Sequence, residues 1–343
     1  MALTIVSVAY PFAPVTPDPA GGAEQVLAQL DRALVEAGHR SIVVACEGSS
    51  VAGELVVVPG TTTEIDDARR AEVHAEVRVA LARVLAEETV DLVHLHGIDF
   101  AAYPPPAGVR TLVTLHLPLD WYPAEALGPD RPDLWLVPVS ESQARRAPAG
   151  ARLLAPIGNG IDLDRYRPTK AKADHAVVIG RIAPEKGQAD AIAAAKLAGV
   201  ALVVAGPVFP YPAHRRYFDE EVVPRLDADR RWVGAVAGEA KRRLLAEAWC
   251  VLIPSTAPET SSLVAMEALA SGTPVIAYRS GALPDIVEDG VTGLLVDDVA
   301  EMAEAIGRVG DIDPDACRRA AEERFDVRRT TAAYLDLYHR LAA

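Results

Sequence analysis

Residues Ile253–Val296 read IPSTAPETSSLVAMEALASGTPVIAYRSGALPDIVEDGVTGLLV. The stretch ends one apolar run, passes through a proline-flanked loop that holds Glu259, and opens a helical pattern that carries Glu267. Between the two carboxylates lies Thr260-Ser261-Ser262, a run suited to cap a helix start. A helix N-terminus presents unpaired N–H groups and a partial positive charge, so anions such as phosphates settle there. Carboxylates accept hydrogen bonds from hydroxyls. One short segment therefore offers a diphosphate seat flanked by acceptors for the hydroxyls of ribose and of a hexose, a combination suited to a nucleotide-diphosphate sugar.

Outward from this segment, apolar runs of strand length alternate with helical patterns. The strand-like runs are Leu3–Ala9, Ser41–Ala45, Val90–Leu95, Thr111–Leu115, Leu134–Val137, Ala176–Ile179, Ala201–Val204, Cys250–Ile253, Pro274–Ala277 and Gly293–Val296. Helical periodicity falls in Ala23–Ala37, Asp66–Glu87, Gln188–Ala198, Ala240–Trp249, Leu263–Ala270, Val299–Val309 and Val327–Ala342. Such alternation predicts an α/β protein with parallel sheets covered by helices. Runs as apolar as VIGRI and LVVAG suit strands buried on both faces. In Asp66–Glu87 the stripe Val73, Val77, Leu81, Val84 and Leu85 faces a mixed polar side, which predicts a core-packed helix rather than a membrane-surface one.

The chain has 343 residues, enough for two domains, and half of them are apolar. Its 34 basic and 48 acidic residues give a formal charge of −14, which disfavours nucleic acid and anionic membrane surfaces as partners. Cys46, Cys250 and Cys317 are odd in number and far apart, as expected of reduced core thiols in a cytoplasmic protein. The start MALTIVSVAYPF lacks a basic n-region and reads as a first buried strand. No apolar run approaches the roughly 18 residues of a membrane span.

Just after the run Ala176–Ile179 comes Gly180-Arg181-Ile182-Ala183-Pro184-Glu185-Lys186-Gly187. Ligands of open α/β sheets bind beyond the carboxyl ends of strands, and the fork of Arg181 and the point charge of Lys186 both suit phosphate oxygens. The loop after the first run carries Pro11, Pro14, Pro17 and Pro19, then Ala20-Gly21-Gly22-Ala23-Glu24, where glycine admits close backbone approach. It is not a Gly-x-Gly-x-x-Gly fingerprint, which speaks against a nicotinamide enzyme. His94 and His96 share one face of a strand end, and His116 ends the next strand. They read either as structural histidines or, with a third ligand, as a metal cluster. No acidic or cysteine ligand accompanies them, and Asp162-Leu163-Asp164 reads as a turn, so no metal is expected. Trp121 and Tyr122 read equally as an apolar wall for an acceptor or as packing, Ser140 as a helix cap, Glu288 as a solvated helix-end carboxylate, and Gly281 as the pivot of a tight turn.

Ile253–Val296 resembles the donor-binding signature of the retaining glycosyltransferases of family 4, the sucrose-synthase-like family, in which two Glu stand eight positions apart. Gly180–Gly187, about 75 residues earlier, resembles that family's Gly-Arg-Leu…Lys-Gly element, and Ile157-Gly158-Asn159-Gly160-Ile161-Asp162 resembles its Asn-Gly-Val-Asp linker. The resemblance covers nearly the whole chain. Where the family reads Glu-x-Phe-Gly, this chain reads Glu259-Thr260-Ser261-Ser262; the backbone seat is unaffected, and the fit to the donor sugar is what the change touches.

The resemblance implies the GT-B architecture: two Rossmann-like domains with parallel sheets facing across a cleft. The domains are expected at 1–157 (acceptor side) and 158–325 (donor side), with the helix in 326–343 crossing back to the first. It implies a diphosphate held by Arg181, Lys186, Gly22 and the Ser261, Ser262 and Leu263 backbone. Glu267 is expected on the ribose, and Glu259 and His116 at the reacting sugar. Gly21, His96, Trp121 and Tyr122 are the candidates on the acceptor side. The expected reaction moves a sugar from a nucleotide-diphosphate donor to a hydroxyl acceptor with retention and without metal or other cofactor; UDP is the nucleotide by frequency in the family. A nucleotide-sugar epimerase on the same fold and a non-catalytic nucleotide-sugar binding protein are the alternatives.

Overall fold

The computed structural model describes residues 2–19, 21–60, 64–128 and 130–343. The chain divides into two compact units, Met1–Asn159 with Arg328–Ala343, and Gly160–Val327.

The first unit runs β1 (Thr4–Val8), α1 (Gly22–Glu36), β2 (Arg40–Cys46), β3 (Glu54–Val58), α2 (Asp67–Glu87), β4 (Leu92–Leu95), β5 (Thr111–Leu115), α3 (Ala124–Leu127), β6 (Leu134–Pro138) and α4 (Glu141–Arg145). Its six strands form one parallel sheet in the order β3-β2-β1-β4-β5-β6. Successive residues of a strand point to opposite faces. Accordingly Ile42 and Val44 join the core under α2, with Val77, Leu81 and Val84, while Val43 and Ala45 pack with Leu27 of α1. Asp66 caps α2 by accepting from Arg69 N–H.

The second unit runs β7 (His175–Ile179), α5 (Gln188–Ala198), β8 (Ala201–Ala205), α6 (Pro212–Tyr217), β9 (Arg230–Trp232), α7 (Gly238–Glu247), β10 (Cys250–Ile253), α8 (Leu263–Ala270), β11 (Val275–Tyr278), α9 (Leu283–Ile286), β12 (Gly293–Val296), α10 (Val299–Arg308) and α11 (Pro314–Arg324). Its parallel sheet has the order β12-β11-β10-β7-β8-β9. Counted from its own first strand, this is the winding of the first sheet, the 3-2-1-4-5-6 order of the Rossmann fold. In each unit the order reverses beside the first strand, between β1 and β4 and between β7 and β10.

The last helix, α12 (Val327–Ala342), packs on the first unit. Tyr338 OH pairs with His94 Nδ1 at 2.7 Å and Tyr334 OH with Thr114 Oγ1 at 2.9 Å, both fully buried. Cys46, Cys250 and Cys317 are buried and free, and burial raises the Cys250 and Cys317 thiols to about 12. No helix among the described residues is long and apolar enough to cross a membrane.

Two strands lie outside the expected set. β3 is a sheet edge that carries the apolar run Leu55–Val58, with Glu54 and Val57 exposed, and is missing from the expected strands; β9 is three residues, Arg-Arg-Trp, with no apolar run. α11 escapes the hydrophobic reading, because its buried face consists of Cys317, Ala320 and Ala321 inside a strongly polar sequence.

Candidate functional site

In the second unit the loops that follow β7 and β10 lie side by side at the point where strand order reverses, the position at which open α/β sheets bind ligands. Their contact is tight. Gly187 has φ +65°, and a Cβ there would stand 2.1 Å from the Pro254 carbonyl oxygen. Thr256 N–H donates to the Glu185 carbonyl at 3.0 Å, which ties the loops together.

The expected phosphate-binding cations meet carboxylates here. Lys186 Nζ donates to Glu259 Oε1 at 2.6 Å, and Ser255 Oγ donates to the same oxygen at 2.5 Å. Arg181 Nη2 donates to Glu185 Oε1 at 2.7 Å, its guanidinium lying 6.0 Å from the centre of the Phe209 ring. The Arg181 Nε is buried with no hydrogen-bond partner among the described residues. Glu259 is held from behind by Ala282 N–H, which donates to its carbonyl at 2.7 Å.

α8 begins where its sequence says it should. Ser262 is the N-cap, its Oγ accepting from Ala265 N–H at 3.4 Å. Ser261 Oγ is a buried atom with no hydrogen-bond partner among the described residues. One turn into the helix, Glu267 is fully buried. Its carboxylate accepts from Tyr166 OH at 2.7 Å and pairs with Lys241 Nζ at 2.6 Å. Burial, and then the adjacent carboxylate, raise the Tyr166 phenol far above its ordinary value. Glu267 thus meets protein groups on Lys241 and Tyr166, not open solvent. Neither partner is signalled by the sequence, since they stand 26 and 101 residues away.

In the first unit, the loops after β1, β4 and β5 carry the expected residues. Gly21 is the N-cap of α1 and Gly22 its first residue; Ala20 lies outside the described residues. The group that approaches closely is internal. A Cβ on Gly21 would meet Glu24 Oε2 at 1.8 Å, so the Glu24 carboxylate folds over the start of α1. A helix N-terminus favours such an anion. His94 is buried with both ring nitrogens engaged, by Tyr338 and by Thr114 Oγ1 at 2.7 Å. His96, only 2% exposed, places Nδ1 3.0 Å from His116 Nε2. It stands behind His116 rather than at an open acceptor surface. Burial holds His94 and His96 well below the ordinary histidine value and lowers His116 to about 3. All three imidazoles are therefore neutral at pH 7.

Tyr122 belongs to the core. Its ring packs on Phe100 and its hydroxyl accepts from Leu117 N–H at 3.2 Å, so it offers no exposed wall, whereas Trp121 remains 38% exposed. The loop after β4 also holds a polar cluster absent from the sequence reading. Asp99 meets His74 Nε2 and Tyr103 OH, each at 2.5 Å, and so ties α2 to that loop. Asp162-Leu163-Asp164 lies at a single 3-10 turn, Leu163–Arg165. Among the described residues no group of three or more His, Cys, Asp or Glu is arranged to hold a metal ion.

Two family models match the chain, "Glycosyltransferase Family 4" over residues 20–165 and "Glycosyl transferases group 1" over residues 173–311. The chain is similar to the D-inositol 3-phosphate glycosyltransferase of Saccharomonospora viridis, 34% identical over 226 residues, 57% of this chain and 52% of that protein. It spans about half the length of the curated relatives it matches. Among solved structures it is similar to AviGT4, a glycosyltransferase involved in avilamycin A biosynthesis, with 28% identity, a TM-score of 0.71 and coverage of 99% and 98% of the two chains. Anabaena HepE in complex with UDP and glucose shares the fold at 18% identity and a TM-score of 0.73, over 98% of this chain and 100% of that one. With both Rossmann-like units matched in order along the sequence, the chain belongs to glycosyltransferase family 4 and has the GT-B fold.

Proposed function

We propose that the protein transfers a sugar from a nucleotide-diphosphate donor to a hydroxyl acceptor, with retention of configuration and without a metal ion. The observation that carries this reading is the cation–carboxylate pair at the start of α8. Lys186 and Glu259 stand 2.6 Å apart beside a helix N-terminus, with Arg181 on the adjoining loop. Breaking a sugar–phosphate bond leaves extra negative charge on the diphosphate, and fixed positive groups aimed at it lower the barrier. In this reading Arg181, Lys186 and the Ser261–Leu263 amides hold the diphosphate. Glu259, released from Lys186 as the phosphates take that ammonium, meets the sugar hydroxyls. Glu267 receives the ribose in exchange for Lys241. His116, a neutral imidazole, serves the transferred sugar.

This reading places the Glu259 carboxylate at the sugar and assigns no second carboxylate as a separate base. A front-face displacement, in which the departing diphosphate takes the acceptor proton, fits that arrangement. UDP is the first nucleotide to test, from frequency in the family and from the nucleotide bound by HepE. The relatives' name makes D-inositol 3-phosphate the first acceptor.

The test is a panel of nucleotide sugars incubated with and without acceptor, in the presence of EDTA, with release of the nucleoside diphosphate measured. Acceptor-dependent release in EDTA supports the proposal. Conversion of the donor sugar with no acceptor identifies an epimerase, and tight donor binding with no release across the panel identifies a binding protein; either overturns it.

A further inference from the structure

The three histidines of the first unit form a stack whose order assigns one of them a task. The rings of His94 and His96 are 3.9 Å apart, and those of His96 and His116 are 5.3 Å apart. His94 is pinned by Thr114 and Tyr338, so the ring against which His96 rests is fixed. His96 reaches His116 through a nitrogen–nitrogen bond of 3.0 Å.

A neutral imidazole has one N–H and one acceptor nitrogen. The bond between the two rings therefore has a single donor, either His96 Nδ1–H or His116 Nε2–H. The other nitrogen of His96 decides between them. His96 Nε2 is buried and has no hydrogen-bond partner among the described residues. Were His116 the donor, the proton of His96 would sit on Nε2 as an orphaned buried N–H, a rare condition in native structures. With His96 as donor, Nε2 is only a lone pair. Which nitrogen of a histidine carries the proton is set by the bond its other nitrogen makes.

We propose that His96 is a positioning residue: its Nδ1–H donates to His116 Nε2 and so holds His116 in the tautomer that carries its proton on Nδ1. His116 then presents a hydrogen-bond donor, suited to an oxygen of the transferred sugar. This last step rests on the reading of His116 given above; the tautomer itself does not.

The test separates the two. Nitrogen-15 NMR of histidine-labelled wild-type protein, with His116 assigned through a His116→Gln variant, distinguishes N–H from bare ring nitrogens. The proposal predicts Nδ1–H on His116, and an Nε2–H tautomer there overturns it. Kinetics supply the second arm. His96→Asn keeps a donor near the position of Nδ1 and retains turnover within a few-fold. His96→Phe loses about tenfold or more in kcat with little change in the KM for donor. Equal loss in both variants, or none in either, overturns the positioning role. Unaltered turnover in His116→Ala would sink the sugar-contact reading alone, leaving the NMR result to judge the tautomer.

Discussion

Lys186 Nζ and Glu259 Oε1 are 2.6 Å apart, although the two residues lie 73 positions apart in the chain. They arrive together because β7 and β10 are neighbours in the sheet and each sends its following loop over the same edge. Lys186 is 32% exposed and Glu259 10%, so solvent screens the pair only in part and its contribution to folding is on the order of 1 kcal/mol. In the proposed reading its value lies with the ligand. Lys186→Met is expected to lower thermal stability only modestly, because Ser255 still donates to Glu259, and to weaken UDP binding by about ten- to a hundredfold, the worth of one charge-assisted bond of about 1.5–3 kcal/mol. Glu259→Gln is expected to bind UDP normally and to lose turnover. Calorimetry and steady-state rates on the two variants check both halves, and unchanged turnover in Glu259→Gln would remove that carboxylate from the chemistry.

The Lys241–Glu267 pair behaves differently because it is inside. Glu267 is fully buried and Lys241 only 12% exposed. Removing one member of a buried pair leaves an uncompensated charge, at a cost of about 3–5 kcal/mol. Lys241→Met should therefore destabilise strongly in urea titrations, and Lys241→Met with Glu267→Gln should recover most of the loss. Additive losses in the double variant would show that the pair is not coupled.

Gly281 is the turn on which the Glu259 loop rests. Its φ is +59°, and a Cβ there would stand 2.4 Å from Glu259 N and 2.1 Å from Glu259 O. Gly281→Ala combines a strained left-handed backbone with that collision, so a loss of about 1–3 kcal/mol in stability is expected. The displaced loop should cost turnover as well. A Gly281→Ala protein with wild-type melting temperature and rate would contradict the geometry.

The histidine stack predicts an acid-sensitive fold. Burial keeps His94, His96 and His116 below their ordinary value, His116 at about 3. In the unfolded chain each titrates near about 6.5, so below that pH the unfolded state binds more protons and stability falls as pH falls. Each such histidine adds a slope approaching about 1.4 kcal/mol per pH unit. His116→Gln should flatten the stability–pH curve between about pH 6 and 4.5 by close to one proton. An unchanged slope would mean that His116 protonates in the folded protein.

Much of this was legible in the sequence, for physical reasons that also mark where the legibility stops. Strands buried on both faces are continuous apolar runs, so Thr111–Leu115, Cys250–Ile253 and Gly293–Val296 read directly. α8 announces itself through Ser262 and the apolar run after it. The three-residue edge strand β9 and the alanine-faced helix α11 carry no such contrast, whereas β3 carries the apolar run Leu55–Val58 and is as legible as the strands just named. The residues proposed for the diphosphate seat are contiguous motifs and can be named in advance. What surrounds them cannot. Tyr166 and Lys241 on Glu267 are contacts made by folding, and no local periodicity encodes them.

The central claim is that fixed protein charges and helix amides, with no metal ion, hold the nucleoside diphosphate on the second unit. Titration of UDP into EDTA-treated protein tests it most directly, run beside an Arg181→Ala, Lys186→Ala double variant. Binding that survives EDTA in the wild type and weakens more than about a hundredfold in the variant is the predicted result, since two charge-assisted bonds of about 1.5–3 kcal/mol each are lost. Binding that needs a divalent cation, or that ignores the loss of both side chains, would contradict it.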